Sequence, residues 1–141
     1  MLNDGLKLTG KLTIALNDEI VQEVPNLVVT AGKGYVASRM KDTSATAMSH
    51  MAIGSGTTAA AASQTALVSE LARTGLTSTT VSGADIVYVD TFAAGTGTGA
   101  VTEAAILNAS SGGTMLCRTV FSVVNKGAND AMTITWTVTV L

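Results

Sequence analysis

The sequence predicts an all-β chain, an antiparallel β-sandwich of the jelly-roll kind with about eight strands and one or two short helices. Three observations predict it. Apolar and polar residues alternate along several segments. Each segment is bounded by Gly, Asn, Asp or Ser. Nowhere does a strand pattern alternate with long helical patterns, as a parallel α/β sheet requires. At 141 residues the chain is about one domain long. No internal repeat or composition boundary divides it, so residues 1–141 are expected to form a single sandwich. Residues 1–47 would supply an N-terminal arm and the first strands.

The elements follow in order. Leu6, Leu8, Leu12, Ile14 and Leu16 are apolar while Lys7, Thr9, Lys11 and Thr13 are polar, the pattern of a half-buried strand. Asn17-Asp18 turns the chain into a second strand, Ile20 to Val29. Pro25 interrupts that strand and has no N–H, which places it at a sheet edge or bulge. Thr30 can cap a helix over Ala31 to Lys41, with Tyr35, Val36, Arg39 and Met40 at helical spacing and Gly32 and Gly34 weakening it. A polar loop from Asp42 leads to a strand, Met48 to Ile53, which ends in Gly54-Ser55-Gly56-Thr57-Thr58. Ala59 to Ala62 and Gln64 to Arg73 fit a second helix, with Leu67, Val68 and Leu71 on one face and Glu70 pairing Arg73 on the other. Four further strands are expected at Leu76 to Val81, Ile86 to Ala93, Val101 to Leu107 and Thr114 to Val124. The last strand, Met132 to Val140, sets Met132, Ile134, Trp136, Val138 and Val140 against Thr133, Thr135, Thr137 and Thr139. With no charged tail after it, this strand is expected to be paired within a sheet.

Composition excludes several function classes. Hydrophobic residues make up 47% of the chain, charged residues 13% and aromatic residues 4%. The mean hydropathy is +0.42, which implies that some apolar surface meets another subunit. Net charge is −2 and the Lys and Arg residues are scattered, so neither nucleic acid nor a membrane is an expected partner. Asn3, Asp4 and Lys7 stand where a secretory signal would be apolar, and no run of eighteen apolar residues occurs, which predicts a soluble protein made in the cytoplasm. Cys117, the single cysteine, is expected to be a buried small hydrophobe.

No motif compels a catalytic reading. Gly95-Thr96-Gly97-Thr98-Gly99-Ala100 has the spacing of a dinucleotide-binding turn, which would make the chain a small-ligand or nucleotide-binding protein. That turn must open a helix whose N-terminus meets the pyrophosphate, and the residues that follow favour a strand. His50 is the single histidine, too few for a triad or a zinc site, and is expected to be structural or at an interface. The acids are dispersed: Asp18 and Glu19 in a turn, Glu70 on the second helix, Asp85 and Asp90 around a strand. Glu103 interrupts an apolar strand and is expected as a solvated edge charge, with pairing to Arg118 or Arg73 as the alternative. Asn108-Ala109-Ser110-Ser111-Gly112-Gly113 is read as a turn rather than a glycosylation site. No catalytic residue, metal ligand or cofactor site is assigned.

Several segments together resemble a known class of protein. They are Met51-Ala52-Ile53-Gly54-Ser55-Gly56-Thr57-Thr58, Gln64-Thr65-Ala66-Leu67, Glu70-Leu71-Ala72-Arg73, Val101 to Asn108, and Met115-Leu116-Cys117-Arg118-Thr119-Val120-Phe121. Their order resembles small virion proteins of tailed bacteriophages, above all the jelly-roll capsid cement or decoration proteins, over roughly residues 48–141. The resemblance implies a non-enzymatic structural protein on the outer surface of the capsid. It would act as a dimer or trimer that bridges neighbouring copies of the major capsid protein. Similar strings occur in tail, fibre and baseplate components, which is the alternative placement.

Overall fold

The computed structural model describes residues 6–41 and 45–141. The polar loop expected from Asp42 begins among residues 42–44, outside the described residues, as do residues 1–5 of the expected arm. The chain is an all-β sandwich of two antiparallel five-stranded sheets with one helix. In chain order the elements are β1 (Leu8–Leu16), β2 (Glu19–Pro25), β3 (Leu27–Val28), α1 (Thr30–Lys41), β4 (His50–Gly54), β5 (Glu70–Gly75), β6 (Ser78–Ser82), β7 (Asp85–Phe92), β8 (Gly99–Leu107), β9 (Met115–Lys126) and β10 (Met132–Val140). One sheet has the order β2-β1-β10-β7-β6, the other β3-β9-β8-β4-β5.

The two strands beyond the expected eight each have a local cause. Pro25 ends β2, and the chain crosses at Asn26 to the opposite sheet, where Leu27 and Val28 pair with Arg118 and Cys117 of β9. The single strand expected from Ile20 to Val29 is therefore two edge strands in different sheets, and Pro25 does lie on an edge. The second addition is β5, which corrects the helix expected over Gln64 to Arg73. Leu67, Val68 and Leu71 sit at helical spacing, but β4 offers a free edge. Ala72, Arg73 and Thr74 take ladder positions opposite Ile53, Ala52 and Met51. Tertiary pairing overrides a local pattern of three apolar residues.

Residues 17 and 18 turn with φ of 51° and 68°, the left-handed geometry that a two-residue hairpin needs and Asn and Asp tolerate. The Asn17 side chain donates to Asp130 at 2.8 Å and accepts from the Ala131 N–H at 3.0 Å, tying this turn to the one before β10. Helix α1 forms where expected. Gly32, which looks like a weakness in the sequence, is buried, and a Cβ there would stand 2.1 Å from the Leu116 carbonyl oxygen. The glycine lets the helix lie directly on β9.

The main core lies between the sheets. Leu12 and Ile14 of β1, with Met132, Ile134, Trp136 and Val138 of β10, face Met51 and Ile53 of β4, Ala104 and Ile106 of β8, and Cys117 and Phe121 of β9. A second cluster, Val29, Ala52, Ala105, Leu107 and Met115, lies on the other face of the second sheet with Ala31 and Leu67 against it. That sheet is thus covered on both sides, which is why β8 reads as a continuous apolar run while β1 and β10 alternate.

Candidate functional site

The feature that departs most from an ordinary sandwich is the connection from β4 to β5, residues 55–69, which carries no helix or strand. Its ends meet: the Ser55 N–H donates to the Ser69 carbonyl at 2.9 Å, and their hydroxyls lie 3.2 Å apart. Compact loops closed at the neck in this way are frequently functional. Its segments are held from beneath by one carboxylate.

That carboxylate is Glu103, and its position corrects the expectation of a solvated edge charge. Glu103 is fully buried on the face of β8 that the loop covers. Its Oε2 accepts N–H bonds from Gly56 and Ser69, each at 2.8 Å, and its Oε1 accepts one from Val68 at 3.0 Å. Arg118, also fully buried, donates to Oε1 through Nε at 3.2 Å and Nη2 at 2.9 Å. Its Nη1 reaches the Gln64 side-chain oxygen at 2.9 Å, and the Gln64 amide donates back to the Ala59 carbonyl. Burial alone would push the Glu103 carboxyl up, but the Val68 and Ser69 N–H groups, the Arg118 guanidinium and the Gly56 N–H hold it below the usual range.

The glycines on this loop are part of the same fit. A Cβ on either Gly54 or Gly56 would stand 2.5 Å from Glu103 Oε2. Thr102 adds a hydroxyl bond to the Gly56 carbonyl at 2.7 Å. On the loop's far side, Arg73 forms the expected pair with Glu70, a two-pronged fork at 2.8 and 3.2 Å, but from a strand rather than a helix. The same guanidinium donates to the Ala109 and Gly112 carbonyls, locking the turn of residues 108–113 beside β5.

What the loop presents outward is uncharged: Thr57, Thr58, Ala59, Ala61, Ala62, Ser63, Thr65, Ala66 and Ser69 are exposed, and Val68 adds an exposed apolar side chain. It holds no titratable side chain of its own. Beside it a shallow cleft of about 440 Å³ opens between the loop and the β3 edge, lined among others by Pro25, Asn26, Ala59, Ala60 and Thr119. Arg118 lines the same cleft, and the rest of its lining is uncharged.

The remaining singled-out residues fall elsewhere. Cys117 is fully buried in the main core, and burial pushes its thiol far up. His50 is partly buried, with Nδ1 at 2.7 Å from the Ser49 hydroxyl. Gly95 and Gly97, in the link from β7 to β8, and Gly99, the first residue of β8, have positive φ. Ala100 continues into strand β8, so the turn does not open the helix that a dinucleotide site requires. Asn108 caps its turn by accepting the Thr114 N–H at 2.7 Å. Among the described residues no cluster of three or more His, Cys, Asp or Glu side chains could hold a metal ion. No helix among them is long and apolar enough to cross a membrane.

Two buried charges were missed from the sequence, although alternation marks both. In β7, Ile86, Tyr88, Asp90 and Phe92 share the core-facing parity, so Asp90 must point inward. It is buried and accepts hydroxyl bonds from Thr74 of β5 at 2.5 Å and Thr77 at 3.5 Å, a polar tie between the sheets. Lys126, on the buried parity of β9, donates to the Ala93 carbonyl at 2.9 Å.

A pH dependence follows. Burial raises the Asp90 carboxyl above 3.8 against the lowering pull of Thr74, Thr91, Thr77 and His50, so its contribution is largest at low pH and is lost as pH rises through its folded pKa. Glu103 acts oppositely: its contribution is present above the ordinary value of 4.5 and is lost as pH falls below it. In urea titrations, Asp90→Asn should remove the loss of stability on the rise toward neutral pH while keeping the loss on acidification. Parallel wild-type and variant profiles would contradict this assignment.

Comparison of the chain with protein-family models, with curated proteins and with solved structures gives no match.

Proposed function

We propose that this chain is a non-enzymatic structural subunit of a tailed-phage particle, a capsid cement protein that seats on neighbouring major capsid proteins. The observation that carries the reading is that the segments responsible for the resemblance form one physical unit. Gly54 to Thr58, Gln64 to Arg73, the Glu103 strand and the Arg118 strand interlock through the Glu103 carboxylate and Arg73. The product of that interlock is a neutral loop laid over the outer face of the second sheet and tied to it at several points. A fixed shape with few mobile charged side chains loses little entropy on docking. Modest affinity per copy sums over a shell by multivalency.

The test uses particles. Removing the protein should lower the temperature at which heads release their DNA, and adding it back should restore that temperature. Ala61→Arg, on an exposed loop position, should fold normally and fail to restore it. Recovery of the protein with purified tails and not heads would move it to a tail, fibre or baseplate. Absence from both, with unchanged disruption temperature, would end the virion reading.

A further inference from the structure

A sandwich of two open sheets has four edge strands, and unpaired edges invite pairing with another chain unless something blocks it. Three of the four edges here are blocked. Strand β2 carries Glu19 and Glu23 and ends in Pro25. Strand β3 is two residues long. Strand β5 carries the Glu70–Arg73 fork, and the ladder beside it shifts register at Ile53/Gly54.

Strand β6 has none of these devices. Ser78, Thr79, Thr80, Val81 and Ser82 are all exposed, uncharged and free of proline. On one side they pair with Val89 to Asp85 of β7, and no other described strand lies on the outer side. Val81 is 70% exposed although it sits opposite Ile86 on the core-facing parity. Thr and Val are strand formers, so the edge is stiff and ready to pair.

We propose that two copies of this chain join through their β6 edges, antiparallel about a twofold axis at Thr80, to form one ten-stranded sheet. The inference deepens the assembly reading above by naming the surface through which the protein meets itself. Parity and length set the register. Side chains directly opposite across an antiparallel pair share a face, so only even registers keep the inner faces together. Centring on Thr80 uses all five residues: Ser78 meets Ser82 of the second copy, Thr79 meets Val81, and Thr80 meets Thr80. Each Val81 then gains a methyl-bearing neighbour on the inner face, and no like charges meet. The same operation at β2 would bring Glu19 and Glu23 of one copy onto the acidic strand of the other, so neutrality selects β6 for self-pairing.

A five-residue edge is small beside the roughly 1,200–2,000 Å² of a standard stable interface, so the dimer is a weak one, in the micromolar range or above. The experiment is sedimentation of the full chain up to about 100 µM, with wild type, Thr80→Lys, Thr80→Glu and their equimolar mixture. Wild type should approach twice 14.2 kDa. Each variant should associate about two- to fivefold more weakly, because identical charges meet on the axis. The mixture should recover association. Thr80 is exposed, so melting temperatures should stay level. A Thr80→Cys chain treated with a mild oxidant should cross-link, since facing residues in such a pair lie about 4.5–5.5 Å apart between Cα atoms, and Cys117 is buried and silent. A monomeric wild type whose Thr80→Cys form stays uncross-linked would overturn the pairing and leave the particle test standing. Wild-type association that the charged variants do not weaken would place self-contact on another surface and overturn it too.

Discussion

Replacing Arg118 with Met should lower the unfolding free energy by about 3–5 kcal/mol, the usual cost of leaving a buried ion without its partner. Both members of the pair are fully buried, and the guanidinium spends Nε and Nη2 on Glu103 and Nη1 on Gln64. Methionine fills much of the volume, so the loss isolates charge and hydrogen bonding rather than a cavity. Three backbone N–H groups still hold the carboxylate, which argues for the lower half of the range. For a domain of this size the melting temperature should fall by roughly 10 °C.

The companion variants separate causes. Glu103→Gln keeps the shape but weakens every acceptor bond. Combined with Arg118→Met it should cost less than the two single changes added together, by about 0.5–3 kcal/mol of coupling. Limited proteolysis should cut Arg118→Met within residues 55–69 before global unfolding, because that loop is what the pair holds down. Strict additivity, or a loop as resistant as in wild type, would show the pair to be uncoupled from the loop. A cooperative transition with unchanged slope in denaturant would locate the effect in the folded state.

The strands of the sandwich were legible wherever one face meets the core and the other meets solvent. Met132 to Val140 reads off the sequence because β10 buries Met132, Ile134, Trp136 and Val138 while the threonines between them stay half-buried or exposed, and only Val140 at its end departs from the inner face. The same rule reads β1, apart from position 10, where a glycine stands because the Asn26 side chain occupies the place a Cβ would take. Legibility fails where a sheet is covered on both faces. Glu103 looked like an edge charge because its neighbours carry no alternation, and nothing local announces the loop that covers it. The partners lie at sequence separations of 15, 34, 35 and 47 residues, beyond the reach of any periodicity. Residues 64–73 fail for the opposite reason: their local pattern is helical, and the free edge of β4 that captures them is a property of the assembled sheet.

The second large effect is expected at Trp136, where truncation to Ala should cost about 3–5 kcal/mol. Trp136 is the largest fully buried side chain. It lies on the central strand of its sheet, opposite Leu12 of β1 on one side and Tyr88 of β7 on the other. Its indole N–H finds no acceptor among the described residues. Trp136→Phe therefore removes an unsatisfied donor along with part of the ring, and should cost distinctly less than removal of a ring whose N–H was bonded. Chemical denaturation followed by circular dichroism measures both variants. Equal losses for Phe and Ala would mean that the indole's outer ring, rather than the volume common to both aromatics, carries the packing. Tyr88 in turn faces Thr79 of β6, so the line Leu12–Trp136–Tyr88–Thr79 runs from the first strand to the open edge. A void at its centre should loosen β7 and β6 before the opposite sheet, seen as faster amide exchange there, and should weaken self-association in step with stability. Thr80→Lys should weaken association at constant stability, and that contrast separates an edge used for pairing from an edge that merely needs a firm core behind it.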